Sequence, residues 1–143
     1  MIKKYCIHTG ETEDSILAAI KLSEKDFDSA VKRAISRIPV EIRRHLDNIL
    51  ITVQKQPSRK MLMDLRVAHD RPLLGLYVGT SMPERSAVYP PLVPDTIYTF
   101  QRPLEEMCET LEELEEQIEI TVVHEIAHFL GISEDRLIEL GYE

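Results

Sequence analysis

A chain of 143 residues with 43% apolar content is sized for one domain with a core of ordinary extent. No stretch approaches the 18 or so consecutive apolar residues of a membrane span, and the opening MIKKYCIHTGETED lacks the apolar run of a secretory signal, so a cytoplasmic protein is expected. The net charge of −8 is unevenly spread: residues 1–71 carry 14 basic and 10 acidic groups, residues 72–143 carry 3 and 15. With no basic stripe or aromatic-rich patch, a nucleic-acid partner is disfavoured. The asymmetry makes a homodimer conceivable, and a negative rim would favour basic substrates, although acids crowded at a helix start are more often a solvated face. Cys6 and Cys108 lack the CxxC spacing of a zinc ribbon or redox site, and free thiols are the expectation.

In chain order, ETEDSILAAIKL at 11–22 suggests a short amphipathic helix that caps the domain or mediates pairing. Ser23 followed by an acidic first turn predicts a helix running to Pro39, and VEIRRHLDN adds another turn or two. ILITVQ at 49–54 is β-branched and reads as a strand, while MLMDLRVAHDRP is ambiguous between helix and loop. LLGLYVG at 73–79 is a second strand, in which Gly75 and Gly79 would permit a bulge or a sharp exit. SMPERS and VYPPLVPD form a Pro-rich loop suited to a cleft wall, and TIYTFQ at 96–101 is a third strand. After Pro103 comes an acidic helical region, with eight glutamates between 105 and 119.

The strongest periodicity follows. Leu111, Leu114, Ile118, Val122 and Ile126 recur at steps of three and four, predicting a core-facing helix over about 110–130. Thr121, Val122 and Val123 are poor helix formers, so burial must override propensity there. Gly131 stops the helix as a left-handed cap residue would. This helix carries His124-Glu125-Ile126-Ala127-His128, the HExxH pattern. Residues four apart share a helix face, so two imidazoles converge on one point with Glu125 beside them, the arrangement for two metal ligands and a general base. The run HEIAHFLGISED extends the match to H-E-x-x-H-x-x-G-x-x-E. The glycine lets the chain reverse and bring Glu134 back as a third ligand, with Asp135 adjacent. Ser133-Glu134-Asp135-Arg136 also reads as the capped start of a short helix over 134–140, an alternative duty for Glu134. His8, His45 and His69 stand apart from this spacing and are expected to be ordinary surface or core residues.

Four segments carry a family resemblance: residues 27–58, LLGLYVGTSMPERS at 73–86, PDTIYTFQRPLE at 94–105, and TVVHEIAHFLGISEDRLIELGY at 121–142. Together they resemble the small bacterial zincin-like metallopeptidases, or mini-zincins, from about Ser23 onward, leaving 1–22 as an N-terminal extension to a 23–143 domain. The resemblance implies an α+β minimal zincin-like fold, a small mixed β-sheet packed on helices that include the HExxH helix. It implies one Zn²⁺ held by His124 and His128, with Glu125 as general base. The usual third ligand is Asp in such proteins, and its position falls on Glu134. No methionine follows Met107, so there is no Met-turn; Tyr142 either packs beneath the metal in its place or simply anchors the C-terminal segment. Zincins pair an extended substrate with the strand beside the active helix, which makes 73–79 the strand for that role, or else an ordinary core strand.

The function expected is zinc-dependent hydrolysis of a peptide or protein substrate, with Tyr89 and Tyr142 as guesses for a second oxyanion donor. The rival is a non-catalytic interaction domain that retains a structural or vestigial metal site.

Overall fold

The computed structural model describes residues 3–9, 19–65, 72–80 and 94–142, with β1 given as backbone only. The elements run β1 (Lys3–Thr9), α1 (Glu24–Arg37), α2 (Val40–Arg43), a single 3-10 turn (Arg44–Leu46), β2 (Leu50–Gln54), α3 (Arg59–Leu65), β3 (Leu73–Thr80), β4 (Thr96–Phe100), α4 (Gln101–Glu106), α5 (Leu111–Leu130) and α6 (Glu134–Glu139). Four strands form one mixed sheet in the order β1-β3-β4-β2. β2 runs parallel to β4, whereas β3 is antiparallel to both β4 and β1. The architecture is α+β, as expected. The Pro-rich loop up to Val93, with Tyr89, and also His69 and residues 11–18 lie outside the described residues.

Helix boundaries follow local chemistry. Ser23 caps α1 by accepting from the Asp26 amide at 3.1 Å, and the chain leaves the helix just before Pro39. Thr110 caps α5 by accepting from the Glu113 amide at 3.1 Å, while the Glu113 carboxylate accepts from the Glu109 amide at 2.9 Å. Thr121, Val122 and Val123 are all buried, and the Thr121 hydroxyl donates back to the Gln117 carbonyl at 2.7 Å, so packing does offset weak propensity. Residues 19–22 are not helical. They dock on α4 instead: the Leu22 amide donates to Glu105 Oε2 at 2.6 Å, Gln101 Nε2 donates to the Leu22 carbonyl at 3.0 Å, and the Ile20 amide donates to the Cys108 carbonyl at 2.9 Å. A buried carboxylate with a directed partner outcompetes any helical tendency of residues 19–22.

The core lies between the sheet and the α1–α5 pair. Phe27, Ala30, Val31 and Ala34 of α1 pack with Leu114, Ile118, Val122 and Ile126 of α5, each large side chain contributing about 1.5–3 kcal/mol by burial. Leu73, Leu76 and Phe100 form a second cluster on the other face of the sheet, with Met61, Leu62 and Leu65 of α3. Leu74 and Tyr77 belong to the first cluster and Leu73 and Leu76 to the second, so the alternation slips at Gly75. There the β1 register also shifts, from His8 opposite Gly75 to Thr9 opposite Leu73.

Gly75 has a second role beyond this bulge. A Cβ there would stand 2.5 Å from Thr121 Cγ2 and 3.2 Å from the Tyr98 carbonyl oxygen, so its absence lets α5 lie close against β3. Gly75→Ala is therefore expected to destabilise the fold by about 1–3 kcal/mol through overpacking. Gly75→Ala combined with Thr121→Ser, which deletes Cγ2 and keeps the hydroxyl, should recover a measurable part in urea denaturation. Equal stability of Gly75→Ala and wild type would contradict the close approach.

Candidate metal centre

The close approach of α5 to β3 positions the site. In the middle of β3 the Tyr77 amide donates to Glu125 Oε2 at 3.0 Å. The Tyr77 ring stacks on Phe129 at 4.3 Å between centroids, and its hydroxyl donates to Asp95 Oδ2 at 2.6 Å. Helix and sheet are thus joined through Tyr77, at Glu125 within the HExxH segment and at Phe129 just after it. In the sequence, Tyr77 is marked only as an aromatic two residues beyond a glycine on the strand expected to flank the helix.

Helical geometry then brings the imidazoles together, with His124 and His128 ring centroids 5.9 Å apart at 77°. Gly131, at φ 73°, ends α5 in the left-handed region that glycine tolerates best. Its amide donates to the His128 carbonyl at 3.3 Å, and the Ile132 amide donates to Ala127 at 2.9 Å, a Schellman reversal. The chain turns back, and Glu134 Oε1 comes within 3.2 Å of His128 Nε2. One ligand atom each from His124, His128 and Glu134 can be chosen so that all lie within 4.8 Å of one another.

The Ser133 segment is a capped helix start that also leaves Glu134 beside His128. Ser133 caps α6 by accepting from the Arg136 amide at 3.2 Å, and Glu134, the first residue of that helix, still reaches His128. Arg136 braces α6 from the other side, donating to both Glu41 oxygens at 3.0 and 2.9 Å and to Glu139 at 2.8 Å. Asp135 is not part of the cluster. His45 is exposed in the 3-10 turn, and no other group of three metal-binding side chains occurs among the described residues.

Exposure divides the site. The side chains of His128 and Glu134 are 40% and 67% exposed, whereas His124 is 8% exposed and Glu125 is 0%. The metal side opens to solvent and the acid side is enclosed. Two imidazoles and one carboxylate form a donor set that fits a borderline ion such as zinc, and three protein donors keep a coordination position open. Cys108 is not a donor: its thiol is free and buried, and burial, with Glu113 and Glu116 nearby, pushes it up to about 11.

Tyr142 does not sit beneath the histidines. The amide of Tyr142 donates to the Leu137 carbonyl at 2.9 Å, and that of Gly141 to Ile138 at 2.9 Å, a second reversal that folds the tyrosine into the core. Its hydroxyl donates to Glu119 Oε1 at 2.6 Å, upstream of the HExxH segment on α5. Tyr142 is the C-terminal anchor. Burial, then the hydrogen bond to Glu119 and that carboxylate's charge, hold the phenol above its usual range near 10. A phenol raised on folding contributes stability that is complete below the unfolded-chain value and lost as pH rises beyond it. Wild type should therefore lose stability above about pH 10 more steeply than Tyr142→Phe, measured by urea denaturation at stepped pH. Parallel curves would contradict the anchor.

Comparison with known proteins bears on the same residues. No curated protein matches this chain. No described helix is long and apolar enough to cross a membrane. The family model described as zincin-like metallopeptidase matches residues 46–142, a span that takes in β2, β3, β4 and the whole His124–Glu134 cluster. With that match over most of its length, the chain belongs to the zincin-like metallopeptidase family.

Proposed function

We propose that this protein is a zinc-dependent peptidase in which His124, His128 and Glu134 hold one metal ion and Glu125 is the general base. The observation that carries the reading is the convergence of these three donors beside a carboxylate fixed by a backbone amide. Zinc bound there supplies Lewis acidity, making water a better nucleophile and the scissile carbonyl a better electrophile.

The chain's own residues account for the rest. The Tyr77 amide restrains Glu125 through Oε2 and aligns the carboxylate along β3. Glu125 takes a proton from the attacking water as the new C–O bond forms, then delivers it to the leaving nitrogen as the C–N bond breaks. Exchanging Asp for Glu at the third-ligand position lengthens the side chain by one methylene. That length suits a residue starting a helix, since Glu134 reaches back over one turn to His128. A cytoplasmic setting accords with the free Cys108 thiol.

One observation favours the rival, a metal domain without turnover: Glu125 has no exposed surface. The two separate experimentally. Glu125→Gln retains an acceptor for the Tyr77 amide, so it should keep zinc and stability while cleavage of a peptide library drops by about 10²–10⁴-fold. Zinc-loaded wild type that cleaves no peptide under any condition would favour the rival. Glu134→Gln should weaken zinc binding by more than about 100-fold and Asp135→Asn should leave it unchanged, by competition with a chromophoric chelator. Equal effects of the two substitutions would remove Glu134 from the ligand set.

A further inference from the structure

Glu125 is held by β3, and β3 is not an edge strand. Its one side is taken by β4 and its other by β1. From Lys3 to His8 the β1 pairing is continuous: Lys3 lies opposite Thr80, Tyr5 opposite Val78, Cys6 opposite Tyr77 and His8 opposite Gly75. Tyr77 and Gly75 are the two β3 residues that flank the acid, one through its amide at 3.0 Å and the other through its clearance, with Glu125 Cγ 3.8 Å from where a Cβ would be. β1 therefore runs past the general base at mid-strand, and α5 packs against β1 as well as β3.

A peptidase has to present an extended peptide to its base, and what a sheet offers for this is strand addition at an open edge. The opposite margin, β2, is separated from β3 by β4 and is out of reach of Glu125. With β1 in place, β3 has no open edge along residues 75–80, and Glu125 is fully enclosed. Charge favours the occupant: KKYCIHT carries two lysines and no acid, against a half-chain, residues 72–143, with a net −12.

We infer that β1 is a self-inhibitory strand: residues 3–9 occupy, antiparallel on β3, the place of an extended substrate and must leave it before a peptide can reach Glu125. The inference rests on the peptidase reading above and deepens it to regulation of the same site. An intramolecular occupant lowers the competent fraction and so raises the apparent KM without altering kcat.

The test uses the full chain carrying Tyr5→Pro together with Cys6→Pro. Amides of consecutive strand residues point to opposite sides, so one of the two prolines removes an amide aimed at β3. The double variant should retain one zinc and a cooperative thermal transition. Its KM for a fluorogenic peptide library should fall by about tenfold or more at unchanged kcat. A fluorescein-labelled KKYCIHT peptide should bind the variant and not wild type, by fluorescence polarisation, and the unlabelled peptide should restore the wild-type KM. Binding is read without turnover, so it also separates the two ideas. Peptide bound by the variant alone, with no cleavage by either protein, keeps the strand assignment and rejects the peptidase reading. Unchanged KM with no peptide binding would overturn the inference. Loss of fold or zinc in the variant would overturn it equally, by making β1 a structural member of the sheet.

Discussion

The hydrogen bond from the Tyr77 amide to Glu125 joins the HExxH helix to the sheet, and the remaining geometry of the site depends on it. A carboxylate enclosed without a partner would cost several kcal/mol, so the acid must be met by a directed donor or lose its charge. A strand amide meets it here, at a distance possible only because Gly75 has no side chain between β3 and Thr121. Once α5 lies at that distance, the 3.6-residue repeat determines where His124 and His128 stand relative to the acid. The Tyr77 side chain, between Phe129 and Asp95, secures the same register from the other direction.

Much of this was legible in the sequence because it is governed by local rules. The α5 helix, its Thr110 and Gly131 ends, and the Ser133-capped turn that follows depend on residues within a few positions of one another. Helical spacing alone was enough to pair His124 with His128. The strands β2 and β4 were recognisable from runs rich in β-branched residues and β3 from an apolar run, although β2 is only partly buried. Long-range choices were not legible. KKYCIHT gives no strong strand signal, and its state is set by pairing with a segment about seventy residues later. Residues 19–22 carry an amphipathic pattern but are captured by Glu105 and Gln101, more than seventy-five positions away. Gly75 suggested a bulge, which is present, yet its clearance for Thr121 becomes evident only when the helix is placed against the sheet. Tyr142 admitted two readings, and the reversal at Gly141 decides between them by directing the hydroxyl to Glu119.

The crowd of glutamates before the histidines has a physical account beyond solvation. Glu105 receives the Leu22 amide, Glu113 receives the Glu109 amide, Glu115 pairs with Arg33 and Arg37 of α1, and Glu119 receives the Tyr142 hydroxyl. These acids tie α4 and α5 to the segments around them. Glu134 likewise stands in two settings at once: a carboxylate in the first turn of a helix is favoured by the helix dipole and lies beside the neighbouring imidazole. Structural and chemical roles are not alternatives for such a residue. The same holds for β3, which is a core strand and also the strand that restrains the acid.

The central claim is that His124 and His128 bind a single ion as a pair. It is tested most directly by titrating zinc into the metal-free protein with ¹⁵N-labelled imidazoles followed by NMR. The account predicts that the ring nitrogens of His124 and His128 shift together and saturate at one equivalent, while those of His45 do not move. Independent saturation of the two rings, or a response at His45 before either, would contradict it.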